Sequence, residues 1–345
     1  MGQIAGELGS VLVTGGAGYI GSHAVLALRE RGWPVVVLDD LSQGDAGNVV
    51  GGADLVVGDI ADCGLVASLL DRCRVRAIMH FAGSISVTDS LTDPLAYYAN
   101  NTAGSLSLLK SALAHGIDAF VFSSTAAVYG EVGAEPVPES APAHPISPYG
   151  FSKLMTERMI EDAGRAHGLP FMVLRYFNVA GADPLARIGP LKLNATHLIK
   201  VALDVVLGKR PVMPLYGNDY PTPDGTAIRD FIHVSDLARL HVMAMERLLA
   251  GGPSRTLNCG YGRGWSVAQV LAAVERVADR PIPVSVQPRR PGDAAAVVAD
   301  VTALKESLSW RPVHDDLEAM IGDALAWELR GHGARPLGES DRPAA

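Results

Sequence analysis

Short apolar runs of strand length alternate with longer stretches of helical periodicity through the first half of the chain. The runs predict strands at residues 11–13, 35–38, 55–57, 76–80, 119–123 and 171–176. The periodic stretches predict helices at residues 20–31, 66–72, 94–115 and 148–167. Continuous apolar strands separated by helices are typical of a parallel sheet that is covered on both faces. Because crossovers are right-handed, the pattern predicts an α/β fold with a doubly wound, Rossmann-like parallel sheet.

After Asn178 the pattern becomes irregular. Residues 183–194 and 217–225 are rich in Pro, Gly and Asp and are predicted to be loops. Further helices are predicted at residues 197–207, 236–249, 266–278 and 315–329, and strands at 228–233, 256–258 and 283–286. We therefore predict a Rossmann domain at residues 1–180, to which some later segments return, and a smaller, loop-rich α/β substrate domain at 181–330. The polar residues 331–345 are predicted to form a flexible tail.

The composition excludes several classes of protein. A hydrophobic fraction of 48% and a charged fraction of 19% exclude a disordered chain. The net charge of −8 argues against a general nucleic-acid binder. Three cysteines without metal-ligand spacing predict neither a disulfide framework nor a metal site. Since no apolar run is long enough to span a membrane and no secretory signal is recognisable, we expect a cytoplasmic protein that binds neither nucleic acid nor membrane.

A glycine-rich segment, TGGAGYIG, lies between the first predicted strand and the first predicted helix. Gly15, Gly18 and Gly21 are spaced by three residues, so the backbone can turn tightly and approach a pyrophosphate. The helix N-terminus, at Tyr19 and Ile20, supplies free N–H groups and the positive end of the helix dipole. Glycines alone could simply form a turn, but the preceding strand and following helix favour a dinucleotide site.

Two carboxylates indicate which dinucleotide would bind. Asp39 ends the second predicted strand, where a carboxylate bonds the ribose hydroxyls of NAD and repels a 2′-phosphate. Asp40 reinforces that repulsion. Asp59, after the third strand, is placed to meet the adenine edge. Asp39 could instead be a solvated turn residue, and Asp59 could have no role in binding.

The candidate catalytic residues lie in two segments. Tyr149 and Lys153 are four residues apart in a predicted helix, so both project from one face. A nearby ammonium favours the phenolate of a tyrosine, which can then take a proton from a substrate alcohol. The hydroxyl cluster Ser123-Ser124-Thr125 ends the fifth predicted strand, at the edge where open α/β sheets bind ligands. Thr125 could share a proton with the reacting oxygen, or it could cap a turn.

With these residues in view, the chain resembles the extended short-chain dehydrogenase/reductases and, among them, the UDP-glucose (UDP-galactose) 4-epimerases. The resemblance is carried by VTGGAGYIGSH, HFAG, PLAYYANN, SSTAAVYG, SPYGFSK, LRYFNVAGA, YGNDYPTPDGTAIRDFIHVSDLA and PRRPGD. The later strings are the more specific ones, because the whole superfamily shares the glycine loop and the Tyr/Lys pair.

The resemblance implies a bound NAD, a UDP-sugar substrate and a homodimer. The helices at 94–115 and 148–167 are the candidates for the dimer interface, although their apolar faces could equally belong to the core. It adds to the NAD site Ile60, Phe81, Ala82, Gly83, Asn100, Ser123 and Tyr176. It implies that Asn178, Arg229 and Arg290 meet the diphosphate, that Asp293 bonds the uridine ribose and that Tyr216 stacks on uracil, with His197 and Leu198 also at the substrate. A guanidinium is a suitable partner for phosphate because it is bidentate and permanently charged.

At three positions the chain departs from the family pattern. Ile85 replaces a common lysine, which puts one contact to cofactor phosphate and substrate in doubt. Thr196-His197 replaces a pair of asparagines, so His197 either takes over a hydrogen bond or caps the following helix. Val297 replaces a bulky tyrosine beside the hexose, and the space it leaves predicts that N-acetylated UDP-hexosamines are also accepted.

The activity that the resemblance implies is inversion of C4 through a transient 4-keto sugar, which interconverts UDP-galactose and UDP-glucose. A 4,6-dehydratase is disfavoured because Ala126-Ala127 stands where that class has an acid and a base. A 4-epimerase of UDP-N-acetylhexosamine, of UDP-xylose and UDP-arabinose, or of UDP-glucuronate remains open. A non-catalytic NAD-binding sensor is a further alternative, but it would not need Tyr149, Lys153 and Thr125 together.

Overall fold

The computed structural model describes residues 9–133, 135–190, 197–290 and 292–330. The strands are β1 (Ser10–Thr14), β2 (Val35–Asp39), β3 (Asp54–Val57), β4 (Val75–His80), β5 (Ala119–Thr125), β6 (Phe171–Tyr176), β7 (Asn178–Ala180), β8 (Met213–Tyr216), β9 (Ile228–His233), β10 (Arg255–Cys259), β11 (Gly264–Ser266), β12 (Val284–Gln287) and β13 (Ala296–Val297). The helices are α1 (Tyr19–Glu30), α2 (Cys63–Arg72), α3 (Val87–Thr92), α4 (Pro94–Tyr97), α5 (Gly104–Ala114), α6 (Pro148–His167), α7 (Leu198–Val206), α8 (Val234–Leu249), α9 (Val267–Ala278), α10 (Thr302–Leu308) and α11 (Leu317–Leu329).

Seven parallel strands form the main sheet, in the order β10-β6-β5-β4-β1-β2-β3. Alternate strand residues enter two different cores. Val11 and Val13 of β1 pack in the core that contains α1 and α8, whereas Leu12 packs in the core that contains α2, α5 and α6. Both faces of the sheet are therefore covered by helices, which confirms the predicted doubly wound α/β class.

The strand order reverses beside β1. From β1 the chain proceeds to β2 and β3 on one side, and it then returns to β4, β5 and β6 on the other. The turns that follow β1 and β4 diverge at this point, and ligands bind in the crevice that such a reversal opens at the carboxyl ends of the strands. The glycine-rich turn after β1 and the HFAG segment after β4 both lie there.

The second half of the chain is divided between the main sheet and two smaller sheets. β10 forms the edge of the main sheet next to β6, and α8 packs against α1. The smaller sheets are β11-β9-β13, with β7 also paired to β9, and the two-stranded β12-β8. Because β7 begins two residues after the end of β6 and pairs with β9, the sheet that carries Arg229 lies beyond the carboxyl end of the main sheet, while β8 carries Tyr216.

Several elements differ from the prediction. The single helix expected at 94–115 consists of α4, a wide π-helical turn at Tyr98–Ala103, and α5. The sequence pattern did not predict α3, β7, β8, β11, β13 or α10. These elements have two to seven residues, which is too short to show a period. The predicted tail at 331–345 and part of the predicted loop at 183–194 lie outside the described residues. Among the described helices, no helix is long and apolar enough to cross a bilayer.

Candidate functional site

The turn after β1 requires glycine at two of the three predicted positions. Gly15 has a φ of +71°, and a Cβ added there would lie 2.5 Å from the backbone nitrogen of Ala82. A Cβ added at Gly21 would lie 2.2 Å from the carbonyl oxygen of Gly15. Both distances are far below a van der Waals contact, so the turn, the start of α1 and the segment after β4 can only come this close without side chains.

The N-terminus of α1 is open to a ligand. Gly18 precedes the helix in an extended conformation, no side chain caps it, and the first turn contains no acidic residue. The side chain of Tyr19 is directed elsewhere, since its hydroxyl donates to the carbonyl of Gly181 at 2.6 Å. Tyr19 and Ile20 can therefore contribute backbone N–H groups, which suit an anion at a helix N-terminus.

Asp39 is buried beside the same turn. Its carboxylate accepts hydrogen bonds from the backbone N–H groups of Ala17 and Leu41, both at 2.9 Å, which fix its position at the end of β2. Asp40 is exposed and bonds Ser42. Asp59 is also exposed and accepts from the N–H of Ala61 at 2.8 Å, at a turn after β3.

These groups fit an NAD molecule. The glycine turn leaves room for a pyrophosphate, the helix terminus provides donors for it, and the buried carboxylate suits a ribose diol. Ile60, which follows the exposed Asp59 in the sequence, is buried. Its side chain packs close to Gly104, where an added Cβ would lie 3.2 Å from the Cδ1 of Ile60. The glycine turn, the N-terminus of α1 and Asp39, which the sequence predicts as a dinucleotide site, thus lie together at one edge of the sheet.

The HFAG segment joins the site through β4. The N–H of Phe81 donates to the carbonyl of Thr14 at 2.9 Å, and the Phe81 ring contacts buried His241 with the two ring planes tilted by 38°. A Cβ at Gly83, whose φ is +152°, would lie 3.0 Å from an oxygen of Asn101 and 3.7 Å from the Nζ of Lys153. The segment Phe81–Ala82–Gly83 thus lies between the glycine turn and Lys153.

The sequence analysis assigns Asn100 to the NAD site but does not identify its neighbour Asn101. Asn100 is exposed and donates to the hydroxyl of Ser84 at 2.9 Å. Asn101 is buried in the π-helical turn, where its side chain accepts from the N–H of Ser84 at 2.7 Å and donates to the hydroxyl of Ser152 at 3.0 Å. The two consecutive asparagines of PLAYYANN are visible in the sequence. Only the wide π-helical turn, however, directs the side chain of Asn101 into the protein.

Tyr149 and Lys153 lie on the first two turns of α6. Pro148 opens this helix, and the hydroxyl of Ser147 caps it by accepting from the N–H of Gly150. Both candidate side chains are buried. The Nζ of Lys153 donates to the carbonyl oxygen of Ser123 at 3.2 Å, so the ammonium is held at the end of β5.

Burial dominates the protonation of both groups. Burial lowers the pKa of Lys153 to about 8, and the carboxylate of Glu157 opposes that shift. Burial raises the pKa of Tyr149 well above its usual value, and a hydrogen bond from Thr125 acts in the opposite direction. Before a ligand binds, Tyr149 is therefore a neutral phenol, and added positive charge is needed to make it a base at neutral pH.

The hydroxyl cluster at the end of β5 contacts the same site. Thr125 is buried beside Tyr149, and its oxygen also accepts from the N–H of Ala127 at 3.1 Å. Thr125 therefore both caps a turn and faces Tyr149, so the two interpretations of this residue are compatible. Ser123 donates to the hydroxyl of Tyr176 on β6 at 3.3 Å.

The residues proposed for the UDP moiety form two contacting pairs. Arg229 on β9 donates to the carboxylate of Asp293. The guanidinium of Arg290 lies 3.9 Å from the centre of the Tyr216 ring. Arg290 therefore contacts the sheet that contains β8, and Asp293 contacts the sheet that contains β9.

The remaining substrate candidates lie around these pairs. Asn178 is exposed on β7, two residues beyond Tyr176. Val297 pairs with Arg229 across β13 and β9. His197 and Leu198 stand at the start of α7, and the side chain of His197 does not cap that helix. His197 is the N-cap residue of α7, and its backbone carbonyl accepts from the N–H of Val201 at 3.0 Å. Ile85 is exposed, two residues beyond Gly83.

Comparison with known proteins agrees with this geometry. The profile of the NAD dependent epimerase/dehydratase family matches residues 11–260. The UDP-glucose 4-epimerase of Azospirillum brasilense is 52% identical over 337 residues, which are 96% of this chain and 97% of that protein. The crystal structure of the Brucella ovis UDP-glucose 4-epimerase in complex with NAD has a TM-score of 0.90 at 40% identity, over 92% of this chain and 98% of that one.

The chain is also similar to a solved structure whose name includes a second substrate. The UDP-Glc/GlcNAc 4-epimerase of Campylobacter jejuni superposes with a TM-score of 0.82 at 40% identity, over 93% of this chain and 99% of that one. The family profile, at residues 11–260, contains both the nucleotide turn and the Tyr/Lys pair and covers well over half of the sequence. The chain is thus a member of the NAD-dependent epimerase/dehydratase family of extended short-chain dehydrogenase/reductases.

Proposed function

We propose that this chain interconverts UDP-galactose and UDP-glucose by inverting C4 of the hexose, with NAD bound throughout. The observation that carries the proposal is the meeting of Tyr149, Lys153 and Thr125 at the end of β5, beside the glycine turn at the reversal of strand order. Open α/β sheets bind their ligands at such a place, so a dinucleotide and a sugar hydroxyl can be adjacent there.

The NAD site is formed by the glycine turn, Asp39 and the segment after β4. Gly15, Gly18 and Gly21 admit the pyrophosphate to the start of α1, and Asp39 accepts from the ribose hydroxyls. Bound NAD supplies a reversible hydride acceptor, so that the net reaction is an isomerisation without loss of reducing equivalents.

Tyr149 is the proton acceptor for the 4-hydroxyl of the sugar. The ammonium of Lys153 favours its phenolate, and Thr125 hydrogen-bonds the reacting oxygen. Tyr149 then returns the proton to the oxygen on C4 of the 4-keto sugar, and hydride that bound NAD would supply to the opposite face of C4 would leave that carbon inverted. Burial of all three side chains excludes water, which strengthens each of these interactions.

The second half of the chain anchors the UDP moiety. Arg229, Arg290 and Asn178 meet the diphosphate, Asp293 bonds the ribose and Tyr216 stacks on uracil. UDP supplies most of the binding energy, whereas weak contacts to the hexose leave it free to rotate between the two faces. Binding requires Arg290 to leave the Tyr216 ring and Asp293 to exchange its partner Arg229 for a hydroxyl.

The proposal is tested with purified protein, UDP-galactose and no added NAD. Formation of UDP-glucose until the two sugars equilibrate is the expected result. Tyr149→Phe should keep its NAD and lose turnover by at least about a hundredfold, because it removes the group that takes the proton. A wild-type protein without product after NAD is added, or a Tyr149→Phe variant with normal turnover, would refute the proposal.

N-acetylated UDP-hexosamines are a second candidate substrate class. Val297 is half-buried and pairs with Arg229, so its small side chain borders the residues assigned to the UDP-sugar. We expect measurable turnover of UDP-N-acetylglucosamine. Val297→Tyr should abolish that turnover and retain epimerisation of UDP-galactose, since only the larger sugar needs the space. Undetectable wild-type turnover of the acetylated sugar would contradict this extension.

A homodimer is proposed from an apolar surface on the first half of the chain. Leu95 on α4 is 75% exposed, and Leu106, Phe151 and Met155 on α5 and α6 are between 40% and 47% exposed. Phe151 and Met155 are four residues apart, so they share one face of α6. The family resemblance suggests that this surface binds the same surface of a second copy of the chain. Phe151→Glu should convert a dimer into monomers in sedimentation velocity, and a monomeric wild-type protein would refute the proposal.

A further inference from the structure

A buried ion pair lies one helical turn beyond Lys153. Glu157 on α6 is 1% exposed, and its carboxylate accepts from the Nε and Nη2 of Arg175 on β6, with a shortest distance of 2.6 Å. The hydroxyl of Ser124 on β5 donates to the same carboxylate. A carboxylate this deeply buried is tolerated because it is paired and hydrogen-bonded.

Arg175 extends the contact to the far edge of the sheet. Its Nη1 donates to the hydroxyl of Tyr129 at 3.0 Å, and that hydroxyl donates to the side chain of Asn258 on β10 at 2.7 Å. The guanidinium also lies 5.0 Å from the centre of the Tyr129 ring. The network therefore fixes Glu157 from α6, β5, β6 and β10, and leaves its charge no freedom to move away.

The position of Glu157 relates it to the candidate catalytic groups in two ways. Ser124, its hydroxyl partner, lies between Ser123, whose carbonyl holds the ammonium of Lys153, and Thr125, which faces Tyr149. Lys153 itself is four residues before Glu157 on the same face of α6. Through Ser124, the carboxylate is thus bonded to the strand end that carries both the carbonyl partner of Lys153 and Thr125.

The surroundings of Lys153 contain little else that stabilises a cation. Its Nζ lies 4.9 Å from the centre of the Phe122 ring. The imidazole of His80 is buried beside it, and burial lowers the pKa of His80 to about 3, so this ring is neutral. Among the described residues, Glu157 is the acidic group whose charge acts on Lys153, and the same carboxylate is paired with Arg175.

We infer that Glu157 is a positioning residue for the reaction: it keeps Lys153 cationic inside the protein and, through Ser124, holds the end of β5 that presents Thr125 to Tyr149. Arg175 is the partner that makes a buried carboxylate possible at this place. This inference rests on the proposed role of Lys153. It also gives a function to the Glu157–Arg175 ion pair, whose burial costs desolvation free energy that the attraction between the two charges often does not recover.

The test removes the negative charge of Glu157 and keeps the size and shape of its side chain. In Glu157→Gln, Lys153 should lose its proton about one pH unit lower than in the wild type, so that turnover declines at correspondingly lower pH on the alkaline limb. Glu161→Gln makes the same substitution one turn later, where the side chain is one-third exposed and pairs with Arg158, and should shift neither quantity.

Lys153 can be titrated without using turnover. The chain has six lysines, so protein labelled with ¹³C at the lysine ε-carbon gives a simple spectrum in which Lys153→Met identifies the signal. A downward shift of that titration in Glu157→Gln supports the inference, and an unchanged titration in folded protein overturns it. If wild-type turnover is absent, the proposed function fails, while this titration still decides the inference.

A second variant covers the case in which Glu157→Gln does not fold. Glu157→Gln combined with Arg175→Met removes both charges and leaves no unpaired guanidinium in the core. Loss of the Arg175 cation raises the pKa of Lys153, but the charge that acts on Lys153 is that of Glu157, so the titration should still lie below that of the wild type, by less than in Glu157→Gln. A wild-type titration in this variant overturns the inference.

Discussion

The contact at Gly21 provides a quantitative test of the nucleotide turn. Replacing glycine by alanine inside a helix normally stabilises a protein by about 1 kcal/mol, because alanine loses less conformational entropy on folding. At Gly21 the new Cβ would lie 2.2 Å from the carbonyl oxygen of Gly15, and contacts below 3.0 Å are essentially never observed. The start of α1 and the turn must therefore separate by at least 0.8 Å, the difference between these two distances.

That displacement is larger than a binding site tolerates. Groups that hold a ligand must keep their positions to within about 0.5 Å, and both sides of this contact belong to the proposed pyrophosphate site. We expect Gly21→Ala to weaken NAD binding by about a hundredfold, which corresponds to about 2.7 kcal/mol. The protein should consequently lose NAD during purification and show a lower melting temperature.

Gly322 provides the matched control. It also lies inside a helix, α11, and a Cβ added there would have no atom within 4 Å among the described residues. Gly322→Ala should raise the melting temperature by about 2 °C and leave NAD content unchanged. NAD released by acid from each purified variant is measured enzymatically, alongside thermal unfolding by circular dichroism. A Gly21→Ala protein with full NAD content and an unchanged melting temperature would refute the steric argument.

Further predictions concern acid stability and the ribose carboxylate. Burial lowers the pKa of His23 and His241 to about 4 and that of His80 to about 3, so the unfolded chain binds more protons than the folded protein below pH 6.5. Stability should fall as the pH drops from 6.5 to 5, by up to about 2 kcal/mol for each histidine, and a urea midpoint that is equal at pH 7 and pH 5 would contradict this. Asp39→Ala should raise the dissociation constant of NAD at least about tenfold because it removes a buried charged acceptor, whereas Asp40→Ala, at an exposed position, should leave it unchanged; equal NAD affinities, measured by fluorescence titration, would remove Asp39 from the site.

The sequence predicted the central strands because their burial is nearly independent of context. A strand covered on both faces is apolar at every position, so the runs at 11–13 and 35–38 are visible without any tertiary information. The second-half sheets were harder to predict. β13 has two residues and β11 has three, and each forms only because β9 offers an edge to pair with.

The spacing of Tyr149 and Lys153 shows what local pattern can establish. Helical geometry alone places both side chains on one face. The same geometry places Glu157 there, but the sequence does not show that it is buried, because burial depends on Arg175 of β6. Asn101 was missed for a similar reason, since a regular helix through 94–115 would not predict the wide turn that directs it towards Ser84.

By itself, the sequence determined the fold class, the nucleotide turn and the Tyr/Lys pair, because glycine spacing, strand burial and helical periodicity are properties of neighbouring residues. Only the tertiary structure decided which distant groups meet. Arg229 and Asp293 are 64 positions apart, and Tyr129 and Asn258 are 129 apart. Such pairings depend on strand order and on packing between layers, so the charges they neutralise and the protonation states they set follow from the folded chain.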